Sequence, residues 1–138
     1  FEAAGWAPSA YNYQPWKFLY AVRDDANWDR FMEPLIPFNQ SWVKSAGALI
    51  YVISDEMMRQ GDKVDPNHTH SFDAGSAWAM LALQATHMGY HTHGMSGVDF
   101  DKAREVLGVP EGYYINAAIA IGRKACERNR HRGQFPLR

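Results

Sequence analysis

The chain has 138 residues, 46% hydrophobic and 14% aromatic, enough for one domain with a packed core and too apolar for global disorder. A formal net charge of -1 removes any global electrostatic case for a nucleic-acid partner. No apolar run approaches the roughly 20 residues that cross a bilayer, and a single cysteine, Cys126, excludes an internal disulfide and fits a reducing, cytoplasmic setting.

Glu2 to Ala7 reads as the end of a helix that Pro8 terminates. Ser9 to Pro15 follows as a loop of amide and hydroxyl side chains. Lys17 to Val22 is apolar and aromatic enough for a strand. Asp25 to Leu35 has helical spacing through Trp28, Phe31, Met32 and Leu35, with Asp24 or Asp25 as N-cap and Pro37 as breaker. Asn39 to Ala46 reads as a short helix, and Ala48 to Ile53 as a strand buried on both faces. The polar stretch Ser54 to His70, with Gly61 and Pro66, is expected to be a loop of little regular structure. Ser71 or Asp73 then caps a helix running to about Met88, with Gly89 as its stop. This helix is apolar nearly all round, so it should be buried and is open to sharing with a partner subunit. His91 to Gly97 reads as a loop, and Asp99 caps a helix to Leu107 closed by Gly108 and Pro110. Tyr114 to Ile121 is a third strand. Three strands among more helix imply a layered α+β or α/β domain.

Three patterns bear on chemistry. Ser9, Asn12 and Gln14 offer uncharged donors and acceptors, which suit the edge of a planar heterocycle, and Pro8 and Pro15 stiffen the loop around them. The same residues also make an ordinary turn. His68-Thr-His70 and His91-Thr-His93 are two imidazole pairs, a weak metal signal without accompanying cysteine or carboxylate, and the two are not expected to form one site. Arg123, Lys124, Arg128, Arg130, Arg132 and Arg138 place six of the 14 basic residues in the last 16, as a solvated tail or an anion clamp. The tryptophans Trp6, Trp16, Trp42 and Trp78 read as core.

The segment APSAYNYQPWKF, Ala7 to Phe18, resembles the APS-x-x-N-x-QPW-x-F signature of the FMN-dependent nitroreductase superfamily. Phe38 to Ser54, Ser71 to Asp99 and Tyr113 to Gly122 resemble the family's later segments in the correct order, and QFPL resembles its C-terminal K-x-R-x-PL motif. The resemblance implies an α+β fold, a three-layer α-β-α sandwich with a central mixed sheet around a long buried helix. It implies one domain over residues 1–138, lacking the usual N-terminal arm and C-terminal extension. It further implies FMN as cofactor, NADH or NADPH as electron donor, a small electron-poor acceptor such as a nitroaromatic or quinone, and a homodimer. Ser9, Asn12 and Gln14 fall on positions near the flavin, its ribityl chain or its phosphate. Asn39 falls on the residue that bonds the polar pyrimidine edge. Gly94, Met95, Ser96 and Gly97 fall on the loop whose backbone amides lie over the reactive central nitrogen. Arg132 stands where a phosphate-binding Lys is common, while Gln134 replaces the motif's Arg, leaving the phosphate to Arg132 with Arg130 or Arg123. No catalytic side chain is expected, because the flavin carries the chemistry. The alternatives are a flavin-binding or degenerate relative without turnover, and a His-based metal-binding module.

Overall fold

A computed structural model describes residues 1–124. In chain order it contains α1 (Glu2–Gly5), a 3-10 turn (Ala10–Asn12), β1 (Trp16–Val22), α2 (Trp28–Met32), α3 (Pro37–Val43), β2 (Ala48–Asp55), β3 (Met57–Gln60), β4 (Lys63–Pro66), α4 (His70–His87), β5 (His91–Met95), α5 (Phe100–Leu107) and β6 (Tyr113–Gly122). One sheet has the order β1-β2-β6-β5, and β3 and β4 form a separate hairpin.

β2 is buried along nearly its whole length, and its alternation sorts the core into two layers. Leu49, Tyr51 and Ile53 face a cluster with Trp28, Phe31 and Val43 from α2 and α3. Ile50 and Val52 face the other way, onto Ala4 of α1 and Ala74, Ala77 and Leu81 of α4. The result is the expected three-layer α-β-α sandwich. The sheet itself differs from the mixed one expected: every strand pair among the described residues is antiparallel. Between Val52 and Ile53 the β2–β6 register slips by one residue, so Asn116 bulges out of the ladder. Its side chain is thereby freed to donate to Ser54 Oγ at 2.8 Å.

Helix ends follow local chemistry. Asp99 Oδ1 accepts the Lys102 N–H at 3.0 Å, and Gly108 closes α5 at φ +66. Beyond α4, Gly89 at φ +79 lets the Tyr90 N–H reach back to the Ala85 carbonyl at 2.9 Å.

Four further expectations change. The first helix after β1 is only Trp28–Met32, because Asp25 directs its carboxylate to the Val22 and Asn27 amides and closes a turn instead of capping. The polar stretch after β2 is a hairpin, with Gly61 at φ +59 starting the two-residue Gly61-Asp62 turn between Gln60 and Lys63. The stretch expected as a loop from His91 is β5, an edge strand that residues of low strand propensity adopt because β6 offers its ladder. Finally, α4 starts at His70 and buries one face only; Phe72, Met80, Leu83 and Met88 stay exposed.

Tyr51 is fully buried and donates its hydroxyl to the Phe31 carbonyl at 3.0 Å, tying β2 to α2. Burial holds its phenol well above the ordinary tyrosine range. Its neutral form is therefore favoured by folding: the stabilisation is complete below the unfolded pKa of about 10 and declines as pH rises above it towards the folded value. In an alkaline melt series, Tyr51→Phe should lose stability less steeply than wild type above that pH. At neutral pH it should be less stable by about 1–2 kcal/mol, because the Phe31 carbonyl loses its buried donor.

Candidate functional site

The loop from Ser9 to Pro15 carries three non-glycine residues with left-handed backbone, Tyr11 at φ +53, Asn12 at φ +54 and Gln14 at φ +54. Each such residue costs on the order of 1 kcal/mol, so outside partners must hold the turn. Some hold comes from the expected site residues themselves. Ser9 Oγ accepts the Gln14 N–H at 3.0 Å, and Gln14 Nε2 donates to the Gly5 carbonyl at 3.3 Å. Asn12 is exposed, and its side-chain amide makes no hydrogen bond among the described residues. The loop is tied outward at two points: the Ala10 N–H donates to Asp73 Oδ2 at 3.1 Å, and the Tyr13 hydroxyl lies 3.1 Å from Asp55 Oδ2.

A second group forms around Asn39, which α3 holds at 6% exposure. Its Nδ2 donates to the Gly97 carbonyl at 2.9 Å, and the Ile36 N–H reaches the same oxygen at 3.1 Å. Gly97 has no room for a side chain: a Cβ there would strike Asn39 Nδ2 and come within 2.8 Å of Ile36 Cδ1. A Cβ on Gly94 would meet the Trp78 ring at 2.7 Å. Met95 buries its side chain in the core, so only its backbone remains available. The Ser96 and Gly97 N–H groups have no hydrogen-bond partner among the described residues. Asn39 and the Gly94–Gly97 segment are thus brought together. No hydrogen bond joins them to the Ser9–Gln14 loop; the link is α4, which holds the loop through Asp73 near its start and packs Trp78 against Gly94.

Arg132 lies outside the described residues, as do Arg128 and Arg130. Arg123 is described: its guanidinium stands 5.0 Å over the Tyr90 ring. It lines a shallow cleft beside β5 with Trp42, Ser45, His91 and His93, to which no carboxylate among the described residues contributes. His93 packs edge-on to Trp42 at 5.1 Å. The two His-Thr-His pairs sit apart in the fold. His70 belongs to a different environment, its Nδ1 2.8 Å from Ser54 Oγ, and among the described residues no three His, Cys, Asp or Glu side chains are grouped to hold a metal ion.

Sequence reasoning gave no site role to Asp55, Asp73, Trp42 or Trp78, expecting Asp73 only as a helix cap and the two tryptophans only as core. A signal existed for the two aspartates, since a carboxylate at the end of an apolar strand or inside an apolar helix needs internal partners. Trp78 carried none. Its Nε1 is buried without a partner among the described residues.

Residues 36–123 match the Nitroreductase family. A crystal structure of an oxidoreductase containing FMN is 47% identical with a TM-score of 0.86, and the match covers 88% of this chain and 62% of that one. This chain therefore spans less than two thirds of that protein. The CLA biosynthesis enone reductase of Lactiplantibacillus plantarum is 28% identical over 158 residues, covering 90% of this chain and 72% of the relative. The NADH dehydrogenase of Thermus thermophilus is 28% identical over 157 residues, covering 91% and 74%.

Gly97→Ala should displace Asn39 or Ile36 and lower stability by roughly 1–3 kcal/mol, the usual cost of overpacking. Gly94→Ala should act similarly through the Trp78 ring, with a changed near-ultraviolet circular dichroism signal. Thermal melts of both variants check this; wild-type melting in both would show that neither close approach constrains the backbone.

Proposed function

The chain belongs to the Nitroreductase family, and from that premise we propose that it is an FMN-dependent NAD(P)H oxidoreductase reducing nitroaromatic, quinone or similar electron-poor acceptors in ping-pong order. The observation that carries the reading is the Asn39–Gly97 contact. It pins a segment with no room for a side chain at Gly94 or Gly97, and the Ser96 and Gly97 amides have no partner among the described residues. Such donors, reached without an intervening side chain, fit the nitrogen and carbonyl acceptors along the edge of a flavin ring. The FMN-containing structure supports the choice of cofactor, and the relative named NADH dehydrogenase supports a nicotinamide donor.

In this reading FMN supplies the hydride chemistry when bound, and the protein binds, orients and tunes it. Asn39 takes the pyrimidine edge. The backbone of Gly94, Met95, Ser96 and Gly97 approaches the ring. Ser9, Asn12 and Gln14 contact the flavin, its ribityl chain or its phosphate, with Asn12 the side chain left free for a ligand. Arg132 takes the phosphate, and Arg123, in a cleft to which no carboxylate among the described residues contributes, is its described companion. A second copy of the chain completes the assembly as a homodimer with two equivalent sites. Phe72, Met80 and Leu83 give α4 an exposed apolar face for it, on the same helix that links the two halves of the site.

The absorbance spectrum of the purified protein, before and after adding FMN and then NADH, tests this. Flavin bands that bleach with NADH and return with a quinone or nitroaromatic are expected. A protein that binds FMN but never bleaches is the turnover-free relative; one that takes up no FMN is neither. Asn12→Ala and Asn39→Ala should each weaken flavin binding by roughly 1–3 kcal/mol, the cost of an unpaired buried partner. Light scattering should give about twice the 15.7 kDa chain mass; a monomer at micromolar concentration would overturn the dimer.

A further inference from the structure

Five polar residues are buried in the described structure: Asn39, Ser54, Asp55, Asn67 and Asp73. Asn39 belongs to the Gly97 contact. The other four are close together in the fold, and three of them form a chain of hydrogen bonds to the Ser9–Pro15 loop. At one end of that loop, Asp73 Oδ2 accepts the Ala10 N–H at 3.1 Å and the Thr69 hydroxyl at 3.0 Å. The Thr69 N–H donates to Asn67 Oδ1 at 3.3 Å, and Asn67 Nδ2 donates to the Asp55 carbonyl at 3.4 Å. At the other end, Asp55 Oδ2 lies 3.1 Å from the Tyr13 hydroxyl, Asp55 Oδ1 accepts the Met57 N–H at 3.0 Å, and the Asp55 N–H bonds the Pro15 carbonyl at 2.9 Å. Arg59 pairs with the same carboxylate, and its N–H donates to the Tyr13 hydroxyl at 3.2 Å.

The loop is therefore gripped at Ala10 by the Asp73 carboxylate and at Tyr13, whose hydroxyl lies between Asp55 Oδ2 and the Met57 carbonyl, the latter at 3.0 Å, and the left-handed residues Tyr11 and Asn12 lie between the two grips. Buried carboxylates are costly unless fully bonded. Here Thr69, Met57 and Arg59 supply part of the bonding, and one further bond to each carboxylate comes from the loop whose left-handed residues would otherwise relax. Ser9 and Gln14 bond each other within the gripped turn, while Asn12 at its tip makes no side-chain bond among the described residues.

We infer that Asp73 and Asp55 are positioning residues: they hold the strained Ser9–Gln14 loop in the conformation that presents Asn12 to the cofactor, before the cofactor arrives. The role of the loop at a flavin rests on the reading proposed above; the clamp itself does not. Asp73 acts through hydrogen bonding and not through charge, since the Ala10 N–H and the Thr69 hydroxyl converge on one oxygen that an amide carbonyl also supplies. Asp73→Asn therefore preserves the grip and Asp73→Ala removes it. Tyr13→Phe removes the opposite grip while keeping the ring.

The test measures hydrogen exchange of the Ala10 to Gln14 amides in the flavin-free full chain, together with FMN affinity by quenching of flavin fluorescence. Asp73→Ala and Tyr13→Phe should each speed exchange in this loop by about tenfold, as for one lost local bond, and leave β2 and β6 protected. FMN affinity should fall by about tenfold in both, while Asp73→Asn stays within about twofold of wild type in both measurements. If Asp73→Ala does not fold, Tyr13→Phe and Asp73→Asn carry the test. Loop exchange unchanged in Tyr13→Phe, or Asp73→Asn exchanging tenfold faster than wild type, overturns the clamp. Faster loop exchange with unaltered FMN affinity overturns its positioning role. A wild-type chain that binds no FMN while the exchange differences persist overturns the flavin reading and upholds the clamp.

Discussion

β2 must be apolar on both faces because it divides the two halves of the core, and the rest of the molecule follows from that requirement. Leu49, Tyr51 and Ile53 organise α2 and α3 on one side, while Ile50 and Val52 organise α1 and α4 on the other. A strand so placed has no solvent face on which to relieve a polar group. Its one buried phenol donates to a helix carbonyl, and its polar end, Ser54-Asp55, requires a satisfied network. That network lies where the loop from Ser9 enters β1. The burial of one strand thus decides where buried polar chemistry accumulates.

The two halves of the candidate site are built by different physics. Around Gly97 the constraint is steric: backbone and amide approach so closely that a methyl group does not fit, and the segment is held from α3 by a single buried asparagine. Around Asn12 the constraint is conformational, with left-handed residues held by carboxylates. α4 touches both, through Asp73 and through Trp78. A shift of this helix would move both halves together, which makes its exposed outer face relevant to the site as well as to assembly.

That outer face also explains why the expected all-round burial of α4 differs from the single chain. The apolar pattern of the helix does not distinguish burial against its own sheet from burial against another surface. Ala74, Ala77 and Leu81 meet the sheet; Phe72, Met80 and Leu83 do not. The small residues allow the helix to lie close to β2, and the large ones face outward.

Much of the fold was legible in local sequence. The continuous apolar run of β2, the strand of β6, the Asp99 cap with the Gly108 stop, and the Gly89 terminus all express preferences within a few residues of each position. The asparagine at position 39 and the Gly94–Gly97 segment were legible through resemblance, though not their direct contact, since their separation in sequence hides it. The Gly61-Asp62 turn was written in the sequence and was masked by the polarity of its hairpin strands. What local preference could not decide was anything set by a partner far along the chain. β5 is a strand because β6 lies beside it, Asp25 closes a turn because β1 ends within its reach, and the sheet is antiparallel because of how its strands return. Asp55 and Asp73 take their roles from a loop some 40 to 60 residues away. The sequence by itself determined which segments are apolar and where the backbone stops and turns; only the tertiary structure decided which buried polar groups meet. A hydrogen bond depends on ångström-scale placement of two groups, and periodicity along one segment carries no information about the other.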